Sequence, residues 1–150
     1  MLTANELWQF SCHYYGKPGV MPACLCVQDE HQGNVNLLLL LVYLDQQELA
    51  LSDNLLKSLH QSIQQFSSQT TMLQRRTRIE LKRRLSPEDY AKPKPALLEA
   101  ELALEKLEQA HLLELLEAHS PSHNTHSTTN LARYLKLLDA DQELIHTLTA

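Results

Sequence analysis

Three cysteines, Cys12, Cys24 and Cys26, are the natural nucleophiles of this chain. A reactive thiol needs a base within reach and a depressed pKa. Cys24 falls in the first turn of a predicted helix, where the dipole favours thiolate, and His13 and His31 are its nearest histidines in sequence. Nothing in the spacing brings either imidazole to the sulfur. A small, inert cysteine packed between helices is therefore expected. Cys24 and Cys26 supply two metal ligands at most. His119, His123 and His126, with His111 upstream, have the ligand type for zinc. Their spacing fits no standard finger, and the Ser- and Thr-rich segment around them reads as a solvated joint, so no metal is expected. Asp29 and Glu30 are adjacent and diverge on a helix, which rules them out as an acid/base pair by themselves. No P-loop, dinucleotide fingerprint or serine elbow is present, and no cofactor is implied.

The strongest charge feature is basic. Arg75, Arg76, Arg78, Lys82, Arg83 and Arg84 face only Glu80 within ten residues. On a nucleic acid such a run would release counterions phosphate by phosphate. The neighbouring segment carries Glu99, Glu101, Glu105, Glu108, Glu114 and Glu117 against Lys106. Two helices of opposite sign joined by a Pro-rich turn are expected to pair as an antiparallel hairpin. With no aromatic or Gly-rich platform beside the arginines, the pairing is the preferred reading and argues against nucleic acid.

Positioning these residues requires helices. The chain has 150 residues, with 32 Leu against 7 Val and Ile together and only 3 Gly, a balance that favours helix over pleated sheet. Thr3 and Glu6 form a capping box ahead of a helix over residues 4–15, which Gly16-Lys17-Pro18-Gly19 ends. A second helix starts near Pro22 and stops at Gly33. Asn34 caps a third over 35–47, whose Leu37–Leu44 core is apolar all round and must be enclosed by other helices. Further helices are predicted over 52–66, 71–85, 96–118 and 130–139, with a single turn after Ser86 and fraying beyond 139. The expected architecture is an all-α, single-domain bundle of six to seven helices around 35–47. Its organisation is a helical core at 1–118, a polar joint at 119–130, and a C-terminal helix with a frayed tail at 131–150.

The charge of −5 disfavours a generic polyanion binder. An odd number of cysteines with no disulfide pattern suggests reduced thiols and the cytoplasm. No secretory signal is visible at the start. The longest apolar run is 37–44, well short of the ~20 residues that span a bilayer.

Several short strings of the first third occur together: Trp8-x-Phe10, Tyr15-Gly16-Lys17-Pro18-Gly19-Val20, Ala23-Cys24-Leu25, Gln28-Asp29, Gly33, and Val35-Asn36-Leu37-Leu38-Leu39. Over residues 8–44 this resembles an uncharacterised family of short proteobacterial proteins, a domain of unknown function. The resemblance implies a bacterial cytoplasmic protein and carries over no activity. One departure is Asn34, where the family pattern leads us to expect an acidic residue; Asn is an equivalent N-cap.

Three functions from different classes follow. The leading expectation is a small interaction or regulatory module with an unidentified protein partner, whose surface is drawn from Trp8, Tyr14, Tyr15, Pro18, Gly19, Cys24, Gln28, Asp29 and Asn36. The second is an enzyme or small-ligand binder with a pocket at the junction of the first three helices, using Cys24, Gln28, Asp29, Asn36 and a tyrosine. The third is nucleic-acid binding through the basic helix.

Overall fold

Thr3 starts the first helix, α1 (Ala4–Tyr15), with a reciprocal cap. Its hydroxyl accepts from the Glu6 N–H and the Glu6 carboxyl accepts from the Thr3 N–H, both at 3.1 Å. The computed structural model describes residues 2–119, 121–123 and 128–149. Gly19, at φ 81°, is the left-handed residue that redirects the chain into α2 (Val20–His31). This helix begins two residues before Pro22, which sits in the first turn where a missing N–H costs nothing. Its far end departs from expectation in an instructive way. Gln32, not Gly33, takes the left-handed conformation, at φ 59°. Gly33 is needed for space instead: a Cβ there would sit 2.5 Å from Val27 Cγ1 and 2.8 Å from Leu138 Cδ1.

Asn34 caps α3 (Val35–Gln46), its Oδ1 accepting from the Leu37 N–H at 2.8 Å. Residues 36–42 and Leu44 are all buried, as an all-round apolar helix requires. Each leucine withdrawn this way contributes roughly 1.5–3 kcal/mol, so α3 is the energetic centre. A short strand, β1 (Leu49–Ala50), leads to α4 (Asp53–Gln69), capped by Ser52. The stretch at 67–71 is mostly continuing helix, broken at one residue: Thr70, at φ −134° and ψ −86°, separates α4 from α5 (Thr71–Arg84). The Pro-rich connector holds α6 (Pro87–Tyr90) behind the Ser86 cap. Then come α7 (Lys94–Glu117), β2 (Ser122–His123), α8 (Asn130–Leu137) and α9 (Leu144–Thr149).

The chain is an all-α bundle. Helices α1, α2, α4, α7 and α8 pack directly on α3, α5 lies along α7 and α4, and α9 lies on α2. The nine helices of the described residues exceed the expected six to seven through the short α6 and α9. The only sheet among the described residues is β1 with β2, antiparallel, with Leu49 opposite His123. Beyond 139 the chain forms α9. Leu148 of α9 is buried and its carbonyl accepts from the Tyr14 hydroxyl, so tertiary contact holds a helix too short to stand alone. Leu131, Tyr134 and Leu135 of α8 belong to the same buried cluster as α3. No helix among the described residues is long and apolar enough to cross a membrane.

Candidate functional site

The last turns of α7 bury leucines, whereas its middle buries Glu101, Glu108 and Gln109. Withdrawing such groups unpaired costs about 1–3 kcal/mol each, so their partners define the site. The Glu108 carboxyl accepts from Asn34 Nδ2 at 2.8 Å through Oε1 and from Asn36 Nδ2 at 3.3 Å through Oε2. Glu101 receives Arg78 Nε and lies 3.8 Å from Arg75 Nε, and Arg75 also reaches Glu105 at 3.6 Å. These pairs run in opposite sequence directions along α5 and α7, the antiparallel hairpin expected from charge.

One further chain of hydrogen bonds has its direction locked at both ends. Ser11 Oγ donates to the Leu7 carbonyl at 2.7 Å, so its oxygen is free to accept from Gln109 Nε2 at 2.9 Å. Asn36 spends its NH2 on Glu108 and on the Glu105 carbonyl, so its Oδ1 accepts from the same Gln109 Nε2 at 3.1 Å. Turning the Gln109 amide over would place its oxygen against Asn36 Oδ1. The orientation is therefore fixed, and Gln109 Oε1, on a side chain 1% exposed, has no partner among the described residues. Buried polar atoms without a partner are rare in native proteins.

Gln109 lines a cavity of about 260 Å³. Trp8, Ser11, Cys12 and Tyr15 of α1 form one wall, and Leu25 and Gln28 of α2 another. Asn34, Val35, Asn36 and Leu39 come from the start of α3, Ser67 from α4, Arg75 from α5, and Leu102, Glu105, Glu108 and Gln109 from α7. Lys106 Nζ lies over the Trp8 ring, 5.0 Å from its centroid. Burial pushes the Glu105 carboxyl above its ordinary range, opposed by Arg75, and burial likewise raises the Tyr15 hydroxyl. A larger cleft, about 560 Å³ between Leu2, Tyr43, Leu49, Leu113 and Pro121, has no buried unpartnered side-chain atom on its lining among the described residues.

Of the nine residues selected from the sequence, Trp8, Tyr15, Gln28 and Asn36 meet at this cavity. Tyr14 is buried elsewhere, on Leu148. Pro18 and Gly19 are exposed in the α1–α2 turn. Asp29 is exposed and accepts from Gln28 Nε2 at 3.3 Å. Cys24 lies in the second turn of α2, because the helix starts earlier than expected, and burial pushes its thiol up to about 12. That removes it as a nucleophile. Ser11, Asn34, Glu108 and Gln109 were not selected. Asn34 is more than a cap that an acid could replace, because its NH2 donates to Glu108; an Asp there would cap equally well and set a second carboxyl against the first.

The basic set divides by face. Arg75 and Arg78 turn to α7, Arg83 and Arg84 pair with Glu80 at 2.6 Å, and Arg76 and Lys82 are exposed. Of the histidines, His111 stacks on Phe66 and bonds Ser62 Oγ at 3.1 Å, and His119 is exposed. The His123 side chain and His126 lie outside the described residues. One potential ligand group was not foreseen: Cys26, Glu30 and His31 of α2 bring thiol, carboxyl and imidazole atoms within 4.8 Å of one another. The Cys26 thiol donates to Glu30 at 3.1 Å, a hydrogen bond that raises its pKa.

The family model described as "Protein of unknown function (DUF2390)" matches residues 6–112, a span that contains every residue lining the cavity. No curated protein and no solved structure matches the chain.

Proposed function

We propose that this chain, which belongs to the DUF2390 family of proteins of unknown function, is a small-ligand-binding protein whose site is the cavity lined by α1, α2, α3, α4, α5 and α7. The observation that carries this reading is Gln109, a buried side chain that lines the cavity and whose Oε1 has no partner among the described residues. A ligand donor there would satisfy an atom that the fold itself leaves unsatisfied. The free state of all three cysteines supports a reducing compartment, in keeping with a bacterial cytoplasm.

Two reporters make the reading testable. Trp8, the only tryptophan, lines the cavity, and so does the exposed Cys12. A bound ligand is expected to change Trp8 emission saturably and to slow alkylation of Cys12, measured in a Cys26→Ser background. A broad fragment library that moves neither reporter would remove the proposal.

A protein-interaction role has separate support in exposed apolar side chains outside the cavity. Leu73 and Ile79 of α5 and Leu98 and Leu107 of α7 are exposed apolar side chains. An interaction through them predicts a complex of defined stoichiometry that Ile79→Glu dissolves while the fold is kept.

A further inference from the structure

Resting on the cavity as a ligand site, we infer that its ligand is a hydrogen-bond-donating cation, an amine or guanidinium carried on a short apolar body. The donors and acceptors on the wall are unequally spent. Both Asn34 and Asn36 have committed their NH2 groups to Glu108, and Gln109 has committed its own to Ser11 and Asn36. Open on this wall are the acceptors Gln109 Oε1 and the carboxyl oxygens of Glu105 and Glu108, beside Trp8 and Tyr15, whose donors are neutral; the charged groups not already spent on a partner are acceptors. An ionised carboxyl group offers about four lone-pair sites, and the Glu108 side chain receives only two donors.

Charge points the same way. Among the side chains that line the cavity, Glu105 and Glu108 stand against Arg75 alone, one acidic group in excess, Lys106 not being part of the lining, and the two donors to Glu108 are neutral amides. An anionic ligand would meet two carboxyl groups and an acceptor amide, with Arg75 already engaged by Glu101 and Glu105. The aromatic wall suits a cation as well; Lys106 already uses the Trp8 ring in this way. Leu25, Leu39 and Leu102 supply apolar surface for the ligand body. The volume of about 260 Å³ keeps that body small.

The test compares three probes of one shape, isopentylamine, isopentyl alcohol and 4-methylpentanoate, by titration of Trp8 emission with Cys12 protection alongside. The amine is expected to bind at least about tenfold more tightly than the alcohol, the margin of a charge-assisted hydrogen bond over a neutral one, with the carboxylate weakest. Glu105→Gln, at a partly exposed position that does not threaten the fold, is expected to lower amine affinity about tenfold and leave the alcohol unchanged. Gln109→Leu, where it folds, is expected to weaken both amine and alcohol.

Equal binding of amine and alcohol, tightest binding of the carboxylate, or an amine preference unchanged in Glu105→Gln would each overturn the cation assignment. Those outcomes leave the ligand-site reading standing. Silence of both reporters toward all three probes overturns the cation assignment too, and the same silence across the fragment library overturns the site itself.

Discussion

Asn130 and Gln109 are both carboxamides withdrawn from water, 0% and 1% exposed, yet they use their two ends differently. Asn130 sits at the start of α8. Its Nδ2 donates to the Leu49 carbonyl at 2.7 Å, and its Oδ1 accepts from the Leu51 N–H at 2.9 Å and from Arg133 Nη2 at 2.7 Å. Its backbone N–H, with that of Leu131, donates to the Asp45 carboxyl at 2.8 and 3.0 Å, where the N-terminal end of α8 favours an anion. Both ends of that amide are engaged, and together they tie the end of α3, β1 and α8 into one unit. Gln109 has one end engaged and the other open beside a cavity. A closed amide specifies a packing, whereas an open one leaves room for a visitor. Chemically identical groups thus serve architecture in one place and, on the function proposed above, recognition in the other.

The contrast is sharpest in stability. Asn130→Ala would strand the Leu51 N–H and the Leu49 carbonyl and remove one of the two bonds of Arg133 Nη2, and should cost roughly 3 kcal/mol, read from urea unfolding at constant m-value. Gln109→Leu should cost less, about 1–2 kcal/mol, because it strands the Asn36 Oδ1 but also removes an acceptor that had no partner. Its main effect should fall on ligand affinity instead. Comparable losses at both positions would erase the distinction.

A smaller, pH-dependent effect should come from the other side of Asn34. The Asn34 N–H donates to the Tyr134 hydroxyl at 3.0 Å, which leaves that hydroxyl its own proton for His60 Nδ1 at 2.8 Å. Burial holds the His60 imidazole below its ordinary 6.5. With the folded pKa depressed, the unfolded chain takes up the proton first. Stability from this group is therefore complete above pH 6.5 and declines as pH falls through that value toward the folded pKa. Unfolding titrations between pH 7.5 and 5.5 should show the decline, and His60→Gln should flatten it. Least of all should be expected of Arg84→Ala. Its partner Glu80 is solvated, so the melting temperature should not move measurably.

How much of this was legible in the residues depended on the range of the interaction. The α3 octet, the Thr3 and Ser52 caps and the opposite charges of α5 and α7 all rest on neighbours within a few turns, and a periodic pattern exposes them. Arg75 and Glu105 were visible as charge and became site residues only when α5 and α7 faced α1. The pairing of Asn36 with Glu108 spans 72 positions and that of Gln109 with Ser11 spans 98. No local spacing signals such a bond. The misplaced residues failed for the same reason: Cys24 and Tyr14 share a motif block with Trp8 and Tyr15, but a helix sends neighbouring positions to different faces.

The amino-acid order alone determined that this chain is helical, that residues 37–44 lie at its centre, and that a basic helix has an acidic one to pair with, because leucine preference, capping and charge act over a turn or a loop. Only the tertiary structure decided which polar side chains were buried together and which atom among them was left without a partner. Hydrogen-bond direction is a property of a connected circuit of groups, and that circuit exists only once α1, α3 and α7 have converged.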